Sequence, residues 1–282
     1  MTESATPDSA TSMIRIEGGT YTIGSDTGPN DAQPAHEVSL PPFAIDKYEV
    51  TNGQFATFLN TLDIDPVGDA PPGGITEDDL RPTDVDRLIE GAEGQEQRPL
   101  IALDDENARI GITDGRFVVQ SGYADHPVNE VTWYGAQRYA RLRGVRLPTE
   151  VEWEAAARGT TGRLYPWGDA EPTQERAVFG QGSGETAPVG SHPKGATPTG
   201  IHDMAGNVSE WTLSLYRPYP YDADDGREDP TVNGERVTRG GAHVFFDAEE
   251  LRAYYRMGFS REVDRGHRHI GFRCAQSLSD GS

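Results

Sequence analysis

Alternating apolar and polar residues predict β-strands in the first fifty residues of the chain. Four apolar side chains alternate on either side of Gly18-Gly19, which predicts a β-hairpin; they are Ile14, Ile16, Tyr21 and Ile23. Residues 33–40 and 43–50 read as two further strands. Thr51 and Gln54 then have the spacing of a helix capping box. Phe55, Phe58 and Leu59 follow on one helical face, so we expect a buried helix there.

Between residues 100 and 159 the same pattern predicts a hairpin and two helices. The pair Asp114-Gly115 separates residues 110–112 from residues 117–119, as expected for two paired strands. Thr132 is a candidate N-cap for a helix over residues 133–143, which Gly144 would end. Thr149 and Glu152 have capping-box spacing and predict a second helix that runs to Gly159.

These two helices also predict buried groups. Trp133 and Trp153 each stand in the first turns of a predicted helix, and we expect both in the core. Charged residues surround the start of the second helix, and we expect them to form a partly buried ion network; they are Arg146, Glu150, Glu152 and Arg158.

Composition divides the chain into one folded region with acidic additions. Residues 60–98 hold eleven acids against three arginines, with Pro-Pro and Gly-Gly pairs, and only residues 84–93 have a helical pattern. We therefore expect a domain over residues 13–276 with an acidic insertion at 60–98. Residues 1–12 and 277–282 are expected to be tails, the first of them disordered.

Charge and cysteine content exclude several classes of protein. The net charge is −21, so binding to nucleic acid is disfavoured. Lys47 and Lys194 are the lysines, and a surface so rich in acids and poor in lysine suits a cytoplasm of high salt concentration. No apolar run is long enough to cross a membrane, and no secretory signal is recognisable. Cys274 is the single cysteine, which excludes an internal disulfide, and we expect a cytoplasmic protein.

Residues 200–211 combine oxygen ligands with glycines. Asp203 and Glu210 are carboxylate donors seven residues apart, while Gly200 and Gly206 allow intervening carbonyls to turn inward, as calcium sites require. The alternative is a surface turn ahead of a buried Trp211.

Several motifs in a fixed order resemble the formylglycine-generating enzyme (sulfatase-modifying factor) family. They are Arg146-Leu147-Pro148-Thr149-Glu150, Glu152-Trp153-Glu154-Ala155-Ala156-Ala157-Arg158-Gly159, Tyr165-Pro166-Trp167-Gly168, Gly206-Asn207-Val208-Ser209-Glu210-Trp211, Arg239-Gly240-Gly241 and Gly271-Phe272-Arg273-Cys274. The resemblance implies a single compact α+β domain of the C-type-lectin-like kind, with little regular secondary structure. It also implies a structural calcium ion, held by the side chains of Asp203 and Glu210 and the main-chain carbonyls of Gly206 and Val208. The family's second calcium site is not expected, because residues 177–189 are short and glycine-rich.

One part of the family's machinery is missing from this chain. The resemblance implies a pair of active-site cysteines after Gly240-Gly241, which hold copper and oxidise a substrate cysteine to formylglycine. Residues 242–256 contain no cysteine, and Cys274 belongs to a motif that the family uses structurally. Cu(I) selects thiolate ligands, so formylglycine generation by that mechanism is not expected. Cys274 is expected to be a small buried apolar residue.

Histidines stand where the resemblance places the pocket. His267 and His269 would share one face of an extended segment, and His243 follows Gly240-Gly241. Three imidazoles would suit iron, copper or zinc. The alternative is that residues 265–269 form a basic rim for an anionic ligand. Tyr254 and Arg256 are further pocket candidates, since arginine offers a rigid fork of donors.

Two functions from different classes follow from these residues. The first is a metal-assisted oxidoreductase that acts on a small molecule or peptide, with His243, His267 and His269 as iron or copper ligands. Relatives that form carbon–sulfur bonds take most iron ligands from an extra helical domain, which is not recognisable here. The second is a non-catalytic, calcium-stabilised module that binds a ligand or partner near Phe245-Phe246.

Overall fold

The computed structural model describes residues 12–62, 98–181, 185–257 and 261–278. The helix predicted at 84–93, most of the tail predicted at 1–12 and nearly all of the insertion predicted at 60–98 lie outside the described residues. The same holds for residues 279–282 of the second predicted tail.

Within these ranges the chain forms ten short strands and three α-helices, joined by long loops. The strands are β1 (Met13–Ile16), β2 (Gly19–Ile23), β3 (His36–Leu40), β4 (Phe43–Asp46), β5 (Ile110–Thr113), β6 (Arg116–Val119), β7 (Ser209–Leu215), β8 (Arg236–Arg239), β9 (Ile270–Gly271) and β10 (Ala275–Ser277). The helices are α1 (Asn52–Thr61), α2 (Trp133–Leu142) and α3 (Glu150–Arg158). Single 3₁₀ turns occur at Asn30–Ala32, Gly159–Thr161, Pro193–Gly195 and Ala248–Leu251. No helix in the described ranges is long and apolar enough to cross a membrane.

Four small sheets organise the described strands. Strand β4 lies between β1 and β10, β2 pairs with β3, β5 pairs with β6, and β7 lies between β8 and β9. Only β7 and β9 run parallel among these pairs. The sheets join distant parts of the chain, because β4 and β10 are separated by more than two hundred residues.

The hairpin predicted around Gly18-Gly19 is wrong. Strand β1 pairs with β4, with Met13 opposite Asp46, whereas β2 pairs with β3. Alternation identifies a strand but does not select its partner. Strand β4 is buried at all four positions, and β1 and β10 cover both of its edges. The predicted hairpin of residues 110–112 with 117–119 is confirmed, since its turn is local.

All three predicted helix starts are confirmed. The hydroxyl of Thr51 accepts the N–H of Gln54 while the Gln54 side chain accepts the N–H of Thr51, so both halves of the capping box form. Thr132 caps α2, which ends at Leu142, one residue earlier than predicted. Thr149 and Glu152 form the second capping box, at the start of α3.

Aromatic side chains fill the core beside the first two helices. Phe55 of α1 and Tyr139 of α2 have ring centroids 5.9 Å apart, and Phe272 lies 5.3 Å from Tyr139 and 6.0 Å from Phe55. Trp133 and Trp153 are buried, as predicted. Cys274 is fully buried in this core, and burial raises the pKa of its thiol well above the usual range. The prediction that Cys274 is a buried apolar residue is confirmed.

The ion network predicted around the start of α3 divides into three separate groups. Arg146 pairs with Glu152 at 2.6 Å. Glu150 instead contacts Arg256 at 2.9 Å and Arg227 at 3.4 Å. A third group joins Arg158 and Arg239 to Glu154, at 2.7 and 2.5 Å. Helix periodicity directs Glu150, Glu152 and Glu154 to different neighbours, so one shared network cannot form.

Candidate functional site

The loop before β7 has an unusual backbone. Four of its residues adopt the left-handed region, with φ of +89° at Gly200, +57° at Asp203, +83° at Gly206 and +61° at Asn207. Asp203 and Asn207 are not glycine, but aspartate and asparagine are the residue types with a side chain that adopt this region most readily. Gly206 also packs so tightly that a Cβ there would collide with the carbonyl oxygen of Val178. The loop is therefore held in a fixed shape by its surroundings.

Three carboxylates meet at this loop: Asp203 within it, Glu210 in β7 and Glu49. Asp203 accepts a hydrogen bond from the N–H of Gly190 at 2.6 Å. Glu210, in β7, pairs with the guanidinium of Arg273 through two bonds of 2.6 Å. Its Oε2 also accepts the indole N–H of Trp153 at 2.8 Å.

Glu49 is a carboxylate of this cluster that the sequence interpretation missed. Its oxygens accept the side-chain amide of Asn207 at 2.7 Å and the N–H of Val208 at 3.2 Å. Burial raises its pKa well above the ordinary value, and the neighbouring Asp203 and Glu210 raise it further. The available signal was an acid in the mostly apolar segment 43–50, because a buried charge needs a specific partner.

The charges of this cluster do not balance when all its carboxyl groups are ionised. Glu49, Asp203 and Glu210 are buried together, and Arg273 is the guanidinium in contact with Glu210. Burial also raises the pKa of Asp203. Three buried carboxylates beside one guanidinium are oxygen donors of the kind that calcium prefers, but in the described ranges their side chains are not arranged to hold a metal ion.

The structure places two of the three predicted histidines side by side. His267 and His269 have ring centroids 5.6 Å apart, and the ring of Phe245 lies 5.9 Å from His269. His243 is buried, and its Nδ1 lies 2.8 Å from the carbonyl oxygen of Asn207. A carbonyl only accepts, so Nδ1 carries the proton and Nε2 keeps a free lone pair. Asn207 thus links the histidine group to the carboxylate loop.

Burial keeps these imidazoles neutral. The pKa of His269 falls to about 3, first because the ring is buried and then because His267 and His243 lie beside it. Burial also lowers the pKa of His243 and of His267. A neutral imidazole is the form that binds a metal ion. Arg268 and Arg109 lower the pKa of His243 further, and the basic rim at residues 265–269 stays a prediction.

The three histidines do not surround one common point. In the described ranges no group of three or more His, Cys, Asp or Glu side chains is arranged to hold a metal ion. The Nε2 atom of His267 is buried and lies 3.9 Å from the Oε2 atom of Glu262, beyond hydrogen-bond distance. The rings of His267 and His269 are neighbours, and His243 is near enough to lower the pKa of His269.

Glu130 borders the histidines and was not predicted from sequence. Its backbone N–H donates to the carbonyl oxygen of His267 at 3.1 Å, and its φ of +57° is unusual for a residue with a side chain. Burial raises the pKa of this carboxyl to about 8, helped by Asp105. A buried acid with an unusual backbone conformation and a raised pKa is typical of functional sites.

The side chains of Tyr254 and Arg256 make their hydrogen bonds to other groups of the protein. The Arg256 guanidinium donates to Glu150 at 2.9 Å and to the carbonyl oxygens of Asp31 at 2.8 Å and Arg217 at 2.9 Å. The hydroxyl of Tyr254 accepts from Arg252 at 2.6 Å and donates to Glu249 at 3.0 Å. Both side chains are almost fully buried, and the structure does not group them with the histidines. Each therefore has a structural role in this conformation.

Comparison with known proteins identifies relatives of the whole described fold. A sequence model described as "Sulfatase-modifying factor enzyme 1-like domain" matches residues 1–278. Formylglycine-generating enzyme from Streptomyces coelicolor is 33% identical, over 99% of this chain and 94% of that protein. Hercynine oxygenase from Mycobacterium tuberculosis is 35% identical, over 76% of this chain and 48% of that protein.

A further relative is a longer protein. Serine/threonine-protein kinase Pkn1 of Chlamydia trachomatis is 36% identical over 95% of this chain. The matched region covers 38% of the length of that kinase. Among solved structures, PvdO from Pseudomonas aeruginosa superposes with a TM-score of 0.60 at 24% identity, over 94% of both chains. That likeness concerns the fold. This chain belongs to the sulfatase-modifying factor family, as a divergent member without the cysteine pair that the family uses to make formylglycine.

Proposed function

We propose that this domain is a metal-assisted oxidoreductase that acts on a small molecule or peptide and does not generate formylglycine. The pair of neutral imidazoles at His267 and His269 carries the proposal. A metal lies about 2 Å from a coordinating nitrogen, so two rings that share one ion have centroids roughly 4.5–6 Å apart. The observed 5.6 Å falls within that range. The relative named hercynine oxygenase supports an oxidative activity other than formylglycine generation.

In this proposal His267 and His269 bind iron or copper, and His243 stands beside them. Bound iron or copper would supply one-electron chemistry with oxygen. The chain's own residues prepare the site. Burial holds the imidazoles unprotonated, and Asn207 fixes the tautomer of His243 by accepting its Nδ1–H at 2.8 Å. Phe245 covers one side of His269.

The second candidate function is a binding module without catalysis. The lack, among the described residues, of three side chains arranged around one point favours it. So does Phe246, which follows Phe245 in the chain, is 70% exposed and offers an apolar contact for a ligand or partner. In both proposals the protein is cytoplasmic and has no nucleic-acid partner, which the acidic charge and the single cysteine support.

Metal content separates the two candidates. We would purify protein without a His-tag under anaerobic conditions, add Fe(II) or Cu(I), remove the excess and measure bound metal by elemental analysis. The test variants are His267→Ala and His269→Ala, and the control is His192→Ala, which removes a half-buried histidine outside the group. The oxidoreductase proposal expects near-stoichiometric metal in the unmodified protein and the control, with a loss of at least tenfold in both test variants.

Equal metal content in all four proteins would contradict the oxidoreductase proposal and leave the binding module. Circular dichroism and melting curves show whether each variant is folded, because His269 is half-buried and its replacement removes packing. Oxygen consumption with candidate substrates follows only for protein that retains metal.

We also propose a structural calcium ion at the carboxylate loop. The side chains of Asp203 and Glu210 and the carbonyls of Gly206 and Val208 would hold it, and the excess of buried negative charge supports it. Calcium at one hundred times its Kd should stabilise the fold by about 2.7 kcal/mol. Asp203→Ala should abolish that effect, whereas Asp264→Ala, at an exposed acid, should keep it. Equal melting temperatures with calcium and with chelator in the unmodified protein would exclude the site.

A further inference from the structure

A groove lies along strand β3, on a part of the chain that the proposed function does not use. Its volume is about 410 Å³, within the range of ligand sites. Residues 37–41 form one wall, Thr149 and Glu152 at the start of α3 form the second, and Tyr221 and Ala223 complete it.

The wall formed by residues 37–41 is the edge of a strand. Successive side chains of a strand point to opposite faces of a sheet, so a groove over one face is lined by alternate residues. Here every residue from Glu37 to Pro41 lines the groove. The groove therefore runs along the backbone edge of β3.

That edge has no strand beside it in the described part of the chain. Strand β3 belongs to a two-stranded sheet in which β2 pairs with its other side, from Gly19 opposite Leu40 to Ile23 opposite His36. An unpaired edge presents alternating N–H and C=O groups that can pair with an added strand. Strand addition is a common way for a folded domain to bind an extended peptide.

The opposite wall is held by its own hydrogen bonds. The capping box occupies the N–H groups of Thr149 and Glu152, and the N–H of Glu150 donates to the Ser214 hydroxyl at 2.8 Å. Tyr221 is held by its N–H, which donates to the Nε2 atom of His36 at 2.9 Å. The guanidinium of Arg227 lies 4.8 Å from the centre of the Tyr221 ring. An extended peptide would thus enter a preformed slot between a strand edge and a rigid wall.

Charge selects the kind of peptide. Glu37 is exposed at the groove, and the exposed Asp222 and Asp224 flank Ala223 on the far side. The negative charge of Glu152 is balanced by Arg146 at 2.6 Å. The remaining acids favour a cationic occupant.

The chain's own acidic segments do not fit this surface. Residues 1–11 contain Glu3 and Asp8 without a lysine or arginine, and residues 63–97 contain eleven acids against Arg81 and Arg87. Like charges would repel both segments from the groove. We propose that β3 and its groove bind an extended segment of a partner protein, rich in lysine or arginine, by strand addition.

The test uses a defined peptide and the full chain. The probe is a fluorescein-labelled, amide-capped hexapeptide of alternating lysine and valine, and its binding is measured by fluorescence anisotropy. One control peptide carries N-methyl groups on alternate residues, which removes backbone donors and keeps the charge. Another replaces lysine by glutamate. The protein variants are Glu37→Lys at the groove and Glu106→Lys at an exposed acid elsewhere.

We expect saturable binding that weakens at least tenfold with the N-methylated peptide, with the glutamate peptide and with Glu37→Lys. Binding should change less than twofold with Glu106→Lys. Hydrogen exchange should show slower exchange of amides in residues 36–40 when the peptide is bound. Binding that N-methylation and Glu37→Lys leave unchanged would be non-specific attraction to an acidic protein and would overturn the proposal, as would the absence of saturable binding.

Discussion

At the scale of single residues, close contacts around the loop of residues 200–207 leave little freedom of substitution. The loop orders Asp203 against Gly190 and places Asn207 between the carboxylates and the histidines. Its left-handed residues are therefore part of how two candidate metal sites are connected. A change in this backbone should disturb both sites together.

Gly206→Ala tests that loop against a matched glycine. Gly206 has φ of +83° and a Cβ there would collide with the Val178 carbonyl oxygen, whereas Gly122 has φ of +92° and open space around it. Gly122→Ala should cost about 1–2 kcal/mol from backbone conformation alone. Gly206→Ala should cost more, because the steric collision adds to the same backbone term. Urea unfolding measures both, and equal losses would show that the contact with Val178 has no energetic weight.

Glu228 gives a pH-dependent prediction. The Ser214 hydroxyl lies 2.8 Å from both carboxylate oxygens of Glu228 and donates its one proton between them, and burial raises the pKa of Glu228 from 4.5 to about 7. The folded state therefore holds the proton more tightly than the unfolded chain. The stability contributed by this proton is complete below about pH 4.5 and is lost as the pH rises through about 7.

Glu228→Gln cannot ionise and should avoid that loss. We expect the free energy of unfolding of the variant, relative to the unmodified protein, to increase as the pH rises from about 4.5 to 7. Urea titrations at intervals of half a pH unit measure the difference. A difference that stays constant over this interval would mean that the Glu228 carboxyl is solvated in the folded state.

At the scale of elements, the residues at the start of α3 serve both the helix and its neighbours. Thr149 caps the helix, while Glu152 completes the capping box and also pairs with Arg146. The two contributions can be separated because a glutamine at position 152 can still accept the N–H of Thr149 but carries no charge.

Thr149→Ala should lower stability by about 1 kcal/mol through loss of the cap, and Thr149→Ser should be close to neutral. Glu152→Gln should lower it by up to about 1 kcal/mol, because the ion pair with Arg146 is partly exposed. Added 1 M NaCl should shrink the effect of Glu152→Gln and leave that of Thr149→Ala unchanged. Thermal unfolding at the two salt concentrations distinguishes them, and an equal salt response in both variants would refute the separation.

At this scale the features that could be predicted from sequence were those formed by residues close together in the chain. The caps at Thr51, Thr132 and Thr149 and the hairpin around Asp114 depend on residues within a few positions of one another. The partner of β1 lies some thirty residues away, and alternation carries no information about it. For the same reason Arg256 was interpreted as a pocket residue, although its contact with Glu150 spans 106 positions.

The candidate site was predictable in part for a related reason. His267 and His269 are two residues apart, but the extended segment predicted for them is wrong, because they lie in a turn that the Ile270 N–H closes onto the His267 carbonyl oxygen at 3.0 Å. The turn, and not a strand face, brings their rings to 5.6 Å. The approach of His243 and the carboxylate of Glu49 depends on how distant loops pack. Glu130 was missed because its backbone strain and raised pKa arise only from the folded environment.

At the scale of the whole molecule, charge is distributed unevenly between interior and surface. Several arginines lie in the interior and pair with glutamates. Arg239, Arg256 and Arg273 are almost fully buried in such pairs. The chain as a whole still carries a net charge of −21. Acidic groups therefore repel one another over much of the exterior.

Salt should relieve this repulsion. The screening length falls from about 10 Å at 0.1 M to about 3 Å at 1 M ionic strength. We expect the melting temperature to rise by several degrees between 0.05 and 1 M NaCl, since buried ion pairs are screened less than exposed charges. Differential scanning calorimetry measures the change, and sucrose at matched osmolality controls for solvent exclusion. A melting temperature that falls with salt would mean that attractive surface pairs outweigh the repulsion.

The arrangement of β1, β4 and β10 has a consequence for how the domain is joined to other sequence. Met13 pairs with Asp46 and Ser277 pairs with Phe43, on opposite edges of the same four-residue strand. Two strand spacings and three residue rises put Met13 and Ser277 roughly 14 Å apart. A linker of about six residues can close that distance, which is the geometry that permits circular permutation. A host protein can therefore accept the domain within a surface loop, with little separation of the two flanking host segments.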